Sequence, residues 1–265
     1  MKGIIAGAGI VLIALIGCKQ RDNVAITRNK DGIIISEIPY LKDSVTHGLA
    51  KYYYDNGDLK GEVEYFNGKR EGWHRHYTVG EIVESRIHYK NDLEDGEAYW
   101  YYPNGKLKSK SRWIDGKNYG NLFVYYENGS MKAYNCKDHF GNTLYDIRWD
   151  SLGNKIKEEG VVFSPKFYFQ NTDNAHIVKA NQEIVIEITV AEPPEAKATI
   201  WMGEVVVGGK IEDLKTLPIE NNTTVFKYTF KKTGKHTLIT SGELGDTRGK
   251  VIKKDRVTTD ITVVE

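Results

Sequence analysis

Apolar and polar residues alternate along most of the chain, in short runs that end at turn residues. Alternation with a period of two predicts β-strands, because successive side chains of a strand point to opposite faces. Between residues 47 and 160 the runs are about six to nine residues long and end at pairs such as Asn67-Gly68. Asn and Gly tolerate positive φ, so these pairs predict hairpins.

The hairpin pattern returns every 24 residues. One aromatic position keeps this interval in all units: Tyr53, Tyr77, Tyr101, Tyr125 and Trp149. A glycine that opens the units keeps it too: Gly48, Gly72, Gly96 and Gly120. Repetition at this scale indicates a repeat architecture. Two strands and two turns per unit predict an elongated antiparallel β-meander, with a degenerate fifth unit as its cap.

The residue before each fixed aromatic varies freely: Tyr52, His76, Trp100, Val124 and Arg148. Since neighbours in a strand face opposite ways, we expect the fixed aromatics to line a packed face and the variable residues to point outward or into a groove. We predict Tyr52, His76, Trp100 and Arg148 as binding residues.

Units of the form G-x-x-x-x-[YW]-x-x-N-G-x-[LM] resemble the variant MORN repeat, which occurs in bacterial proteins often labelled antitoxin-like. The resemblance extends over about residues 47–160. It implies an elongated antiparallel β-meander that acts as a binding or spacer surface, and it implies no catalysis.

The flanking segments have other patterns. Residues 18–46 contain a polar stretch to about Arg28, which we interpret as a tether, and a lead-in strand pair within 30–46. After Gly160 the 24-residue interval ends, and about seven short strands in residues 161–265 predict a β-sandwich. The stretch from Tyr228 to Leu238 resembles the late hairpin of bacterial Ig-like domains. The predicted fold class is therefore all-β, a repeat meander followed by an Ig-like sandwich.

The first 18 residues predict export. Met1-Lys2 precedes an apolar run of about 15 residues, which is short for a membrane span and typical of a signal peptide. Leu15-Ile16-Gly17-Cys18 resembles a bacterial lipobox, which implies removal of residues 1–17 and lipidation of Cys18. An uncleaved anchor helix is the alternative. Lys19 lacks the acidity of an inner-membrane retention signal, so we expect a lipid anchor in the cell envelope, at the outer rather than the inner membrane.

Candidate chemistry is sparse. The formal charge of +1 argues against nucleic acid as a partner. His74, His76 and His88 occupy one predicted hairpin and offer three imidazoles for Zn²⁺, but variable surface positions of a repeat explain them better. Cys136 is interpreted as a small strand residue. Catalytic motifs are missing, so we expect no enzyme, no metal and no cofactor.

Aromatic residues exceed what a thin sheet needs for its own core: Tyr52, Trp73, Tyr99, Trp100, Tyr102 and Trp113. Such residues are enriched in protein interfaces and also bind carbohydrate. The sequence predicts an exported, lipid-anchored protein-binding or scaffold protein, with toxin neutralisation as one form of that role. A carbohydrate-binding surface lipoprotein is the alternative.

Replacement of Cys18 by Ala should leave an unprocessed precursor that incorporates no labelled palmitate, because the acceptor thiol is lost. Metabolic labelling followed by immunoprecipitation measures this. Cys136→Ala is the control and should label like the wild type. Normal labelling of Cys18→Ala would contradict the lipobox interpretation.

Overall fold

The computed structural model describes residues 23–42, 44–168 and 176–265. The predicted signal peptide and Cys18 lie outside the described residues. The described residues form β-strands and no helix, which confirms the all-β class.

Twelve strands form one sheet in which each strand pairs with the next along the chain. They are β1 (Asn23–Arg28), β2 (Ile34–Tyr40), β3 (Gly48–Tyr53), β4 (Leu59–Phe66), β5 (Lys69–Tyr77), β6 (Val83–Lys90), β7 (Leu93–Tyr101), β8 (Leu107–Ile114), β9 (Lys117–Tyr125), β10 (Met131–Lys137), β11 (Thr143–Trp149) and β12 (Lys155–Gly160). The pairings are antiparallel, so the predicted meander with two strands per unit is confirmed.

The lead-in strand pair begins earlier than predicted. β1 occupies residues 23–28, which the sequence pattern assigned to the tether, and it pairs with β2 from Asn23↔Tyr40 to Arg28↔Ile34. All six side chains of β1 are exposed. An exposed edge strand needs no apolar face, and the three apolar residues of β1, Val24, Ala25 and Ile26, follow one another without the alternation that predicts a half-buried strand.

Two kinds of turn alternate along the sheet. Asn67-Gly68 and Asp115-Gly116 are two-residue turns with positive φ at both positions, the geometry that matches strand twist. The turn inside each unit is longer. In the third unit the Tyr102 N–H donates to the Lys106 carbonyl at 2.8 Å, and Gly105 adopts a φ of 78°. Both kinds need residues that tolerate the left-handed region, which explains the recurrent Asn-Gly and Asp-Gly pairs.

Each fixed aromatic lies beside a β-bulge. In the third unit Trp100 pairs with Ser109 but Tyr101 pairs with Leu107, so Lys108 is the extra residue. Equivalent shifts occur beside Tyr53 and Tyr77. The fixed aromatics are half-buried, and of these five residues Trp149 packs against the buried core, so the expected packed face is wrong for Tyr53 and Tyr77. The reason is that no described element covers β3–β6, so this part of the sheet has a single layer.

Tyrosine hydroxyls link consecutive units. Tyr54, Tyr102 and Tyr126 each donate to the backbone carbonyl of the fixed aromatic in the next unit, at 2.7, 2.8 and 2.9 Å. The acceptors are the carbonyls of Tyr77, Tyr125 and Trp149. In the second unit Thr78 occupies this position, and its hydroxyl donates to the Ile82 carbonyl of its own turn at 3.4 Å instead of to the next unit. These bonds add side-chain cross-links to a sheet that has only its strand neighbours for support.

Residues 163–265 form two further sheets. The strands are β13 (Phe163–Tyr168), β14 (Ile177–Lys179), β15 (Glu183–Val190), β16 (Ala196–Val205), β17 (Ile211–Leu217), β18 (Thr223–Thr229), β19 (Gly234–Asp246) and β20 (Val251–Val264). One sheet has the order β13-β15-β18 and the other β14-β20-β19-β16-β17. Their apolar faces share one buried core, to which Ile186, Phe226, Met202 and Leu238 belong. The predicted β-sandwich is confirmed.

One close approach within this sandwich requires glycine. A Cβ at Gly242 on β19 would lie 2.5 Å from the Phe163 ring on β13 and 2.9 Å from Ile200. Non-bonded carbon atoms do not approach each other this closely. Glycine, which has no side chain, therefore leaves room for the Phe163 ring between the two sheets.

The sandwich core continues into the last strands of the meander. Tyr134, Cys136 and Ile147 are buried in the same cluster as Val162 and Phe163. The Tyr134 hydroxyl accepts a 2.8 Å bond from the Glu192 backbone N–H. The end of the repeats near residue 160 therefore does not separate two hydrophobic cores, because β10 and β11 pack against the sandwich.

The Tyr102 cross-link has a measurable stability effect. Tyr102→Phe should lower the free energy of unfolding by about 1 kcal/mol, because the Tyr125 carbonyl loses its donor. Denaturant unfolding followed by tryptophan fluorescence measures the change. Tyr125→Phe is the control: it removes a half-buried hydroxyl that makes no side-chain bond and leaves the carbonyl in place. Equal effects of the two substitutions would show that the bond between units contributes nothing.

Candidate interaction surface

The four predicted binding residues lie on one face of the twelve-stranded sheet, in one line across the strands. Directly paired residues of antiparallel strands share a face. The pairings run without a break through Ser36, Tyr52, Gly61, His76, Ser85, Trp100, Ser109, Val124, Ala133, Arg148 and Lys157. We call this line the variable row and its side of the sheet the variable face.

Large and small side chains alternate along the variable row. The opening strands contribute the variable residues, whereas the return strands contribute Gly61, Ser85, Ser109 and Ala133. These small residues also recur every 24 positions, a regularity that the sequence interpretation missed. Strands lie about 4.8 Å apart, so successive variable side chains are separated by about 10 Å with a notch between them.

The row begins at a concavity of about 570 Å³, lined by residues that include Tyr52, Tyr65, His74 and His76. Burial and a hydrogen bond with Tyr65 raise the pKa of Tyr52 to about 12. Burial, followed by the nearby charges of Arg70 and His76, lowers the pKa of His74 below its usual range. His76 Nδ1 lies 2.7 Å from the Glu84 carboxylate. This end of the row therefore presents the neutral phenol of Tyr52 beside the neutral imidazole of His74.

The three-histidine arrangement considered above is wrong. His74 and His76 share the variable face, but His88 pairs with Trp73 and lies on the other face. The bulge beside Tyr77 shifts the register by one residue, and such a shift turns every later side chain of β6 to the opposite side. The rings of His88 and Trp73 are nearly perpendicular, with their centroids 5.2 Å apart. No cluster of three metal-ligating side chains occurs in the part of the chain that the structure describes.

The row ends in a charged cluster. Arg148 Nε lies 3.2 Å and Lys157 Nζ 2.9 Å from the same oxygen of Asp146. Burial would raise the pKa of Asp146, but the Lys157 hydrogen bond and the Arg148 charge outweigh it and hold this pKa below its usual range. Arg148 keeps 58% of its side chain exposed while its Nε contacts Asp146.

Cys136 has a structural place. Its side chain is buried on β10, and its Sγ donates to the Val190 carbonyl at 3.8 Å. Burial raises the pKa of this thiol to about 12. A protonated, enclosed thiol is unreactive. Across residues 23–42, 44–168 and 176–265 we find no helix suited to crossing a membrane.

Two segments match the family model of the MORN repeat variant, residues 46–67 and 94–115. They lie in the first and third units, so variant MORN repeats are confirmed there. No curated protein matches the sequence. Among solved structures, a polysaccharide lyase aligns at 8% identity with a TM-score of 0.25, over 92% of this chain and 46% of that chain. The chain thus spans less than half of that enzyme chain, and a TM-score this low carries no functional argument.

Proposed function

We propose that this chain is an exported, lipid-anchored protein of the bacterial envelope that binds a protein partner, or serves as a scaffold, through the variable face. The observation that supports this is the variable row, in which Tyr52, His76, Trp100 and Arg148 stand in line across the sheet. A repeat frame that keeps its opening glycines and fixed aromatics while the residues of this row differ is suited to recognition.

The spacing of the row suits binding better than catalysis. General acid–base chemistry needs groups within about 3 Å of one reacting atom. Neighbouring variable residues are about 10 Å apart, because a return strand lies between them. His76, Trp100 and Arg148 therefore cannot converge on one bond, and we propose no enzymatic activity.

The length and chemistry of the row match a protein interface. From Tyr52 on β3 to Arg148 on β11 it extends over about 38 Å, at about 4.8 Å per strand. Tyr, Trp and Arg are the residue types that dominate binding hot spots. The notches at Ser85 and Ser109 on either side of Trp100 would receive partner side chains.

The remaining parts of the proposal come from the sequence. The lipobox-like segment ending at Cys18 would attach the chain to a membrane, with the outer membrane favoured. The C-terminal sandwich, which we interpret as Ig-like, would act as a spacer or a second contact module. The antitoxin-like label of related repeats suggests neutralisation of a toxin at the envelope as one form of the role.

Site-specific photocrosslinking tests the proposal. A photoreactive residue in place of His76 should form a discrete protein adduct in native envelopes, and Trp100→Ala in the same chain should reduce its yield at least about tenfold. Quantitative immunoblotting measures the adduct. The control position is Val207, which is fully exposed at a sandwich turn far from the row.

Two results would contradict the protein-binding proposal. One is an adduct of equal yield and size from Val207, because that would show collision rather than recognition. The other is an adduct from His76 that Trp100→Ala leaves unchanged.

The carbohydrate alternative rests on Trp100, an aromatic ring flanked in its row by the small residues Ser85 and Ser109. If it is right, the wild-type chain should bind neutral glycans on an array and Trp100→Ala should abolish the signal. Phe66→Ala removes an exposed aromatic outside the row and serves as the control. Glycan binding that survives Trp100→Ala would exclude this alternative.

A further inference from the structure

Cationic and aromatic residues share the side of the sheet opposite the variable face. Its central line, which we call the cationic row, follows direct pairings through Arg75, Arg86, Tyr99, Lys110 and Phe123. Trp73 and Arg112 flank it on the same face, since each lies two positions from a member of the row. The row thus places three cations and two aromatic rings on five consecutive strands.

The cations of this surface are largely without carboxylate partners. Within the described residues, Arg86, Lys110 and Arg112 make no ion pair, and the buried Nε of Arg86 has no hydrogen-bond partner. Arg75, directly opposite Arg86, does have such a partner, since its guanidinium lies 3.5 Å from the Glu62 carboxylate on the preceding strand. The charges of Arg86, Lys110 and Arg112 are therefore the ones that an anionic ligand could pair with.

Aromatic faces hold these cations in place. The Arg86 guanidinium lies 4.6 Å from the Trp73 ring centroid and 5.7 Å from that of Tyr99. Lys110 Nζ lies 4.5 Å from the centroid of Phe123. Cation–π contacts fix the side chains without neutralising them, so their charge remains available to a ligand.

The sandwich closes one end of the cationic row. A cleft of about 140 Å³ lies between the meander and the loop before β18, and its lining includes Tyr99, Lys110, Arg112, Asn221 and Phe123. The same lining contains one carboxylate, Glu97, which accepts a 2.5 Å bond from the Tyr99 hydroxyl and pairs across the strands with Arg112.

We propose that the cationic row and this cleft bind an acidic polysaccharide, a chain of uronate or sulfated sugars. The C–H faces of pyranose rings stack on aromatic side chains, and their carboxylate or sulfate groups pair with arginine and lysine. Phe123 packs on Tyr134 and carries Lys110 over its ring, so Tyr99 is the ring in the cleft on which a sugar would stack. An acidic peptide would satisfy the charges but would offer Tyr99 no flat apolar face. Because the two faces of the sheet are separate, this inference does not rest on the protein partner proposed for the variable face.

The test measures binding of the full purified chain to immobilised polygalacturonate and heparin at low and moderate salt. We expect binding to both, weakening as salt rises because the contacts are charged. Lys110→Gln with Arg112→Gln should lower affinity at least about tenfold. The matched control, Lys108→Gln with Lys132→Gln, removes the same charge from lysines that lie against Tyr102 and Tyr126 outside the cationic row, and should change affinity less than about twofold.

A variant that conserves charge and a second acidic polymer distinguish a specific site from general attraction between charges. Lys110→Arg retains the charge and should retain binding, with an unchanged thermal midpoint showing that the fold is intact. Equal losses of affinity in the two double variants would overturn the proposal, since they would show general charge attraction rather than binding at one site. Polyglutamate bound as tightly as polygalacturonate would overturn it in favour of an acidic protein segment, and failure to retain either polysaccharide would overturn it outright.

Discussion

Backbone hydrogen bonding between neighbouring strands is the interaction on which the meander depends. A single-layer sheet has no second layer to bury apolar surface, so each strand is supported chiefly by the two beside it. Hydrogen bonds from tyrosine hydroxyls to the next unit add to this support. The sandwich adds support at β9–β12, where the Tyr119 hydroxyl shares hydrogen bonds with the hydroxyls of Thr189 and Thr223 at 3.1 and 2.8 Å. The sandwich thus stabilises one end of an otherwise open sheet.

A single layer also leaves both faces available for recognition. Neighbouring residues of a strand point to opposite faces, so His76 lies on the variable face and Arg75 lies in the cationic row. The surfaces differ in chemistry: spaced, mixed side chains on one side, and cations interleaved with rings on the other. Two dissimilar ligands could therefore be held back to back across about 10 Å of protein.

Local signals made the meander predictable from sequence. Turns such as Asn67-Gly68 require positive φ, and the constant interval placed Tyr52, Trp100 and Arg148 in one line before any pairing was known. Features set by register or by distant contacts were not predictable. The bulge that turns His88 away depends on one extra residue, and β1 exposes all its side chains. The bond between Tyr119 and Thr223 joins residues 104 positions apart, beyond the range of any local pattern.

Each 24-residue unit contributes one large and one small residue to the variable row, so the number of units determines the length of this surface. Insertion or loss of one 24-residue unit adds or removes two strands, which changes the distance between β1 and the sandwich by about 10 Å. The same event adds or removes one protruding side chain and one notch, while every remaining unit keeps its neighbours. Reach and number of contact points are consequently coupled in this architecture, and duplication of a unit extends the surface without any change to its ends.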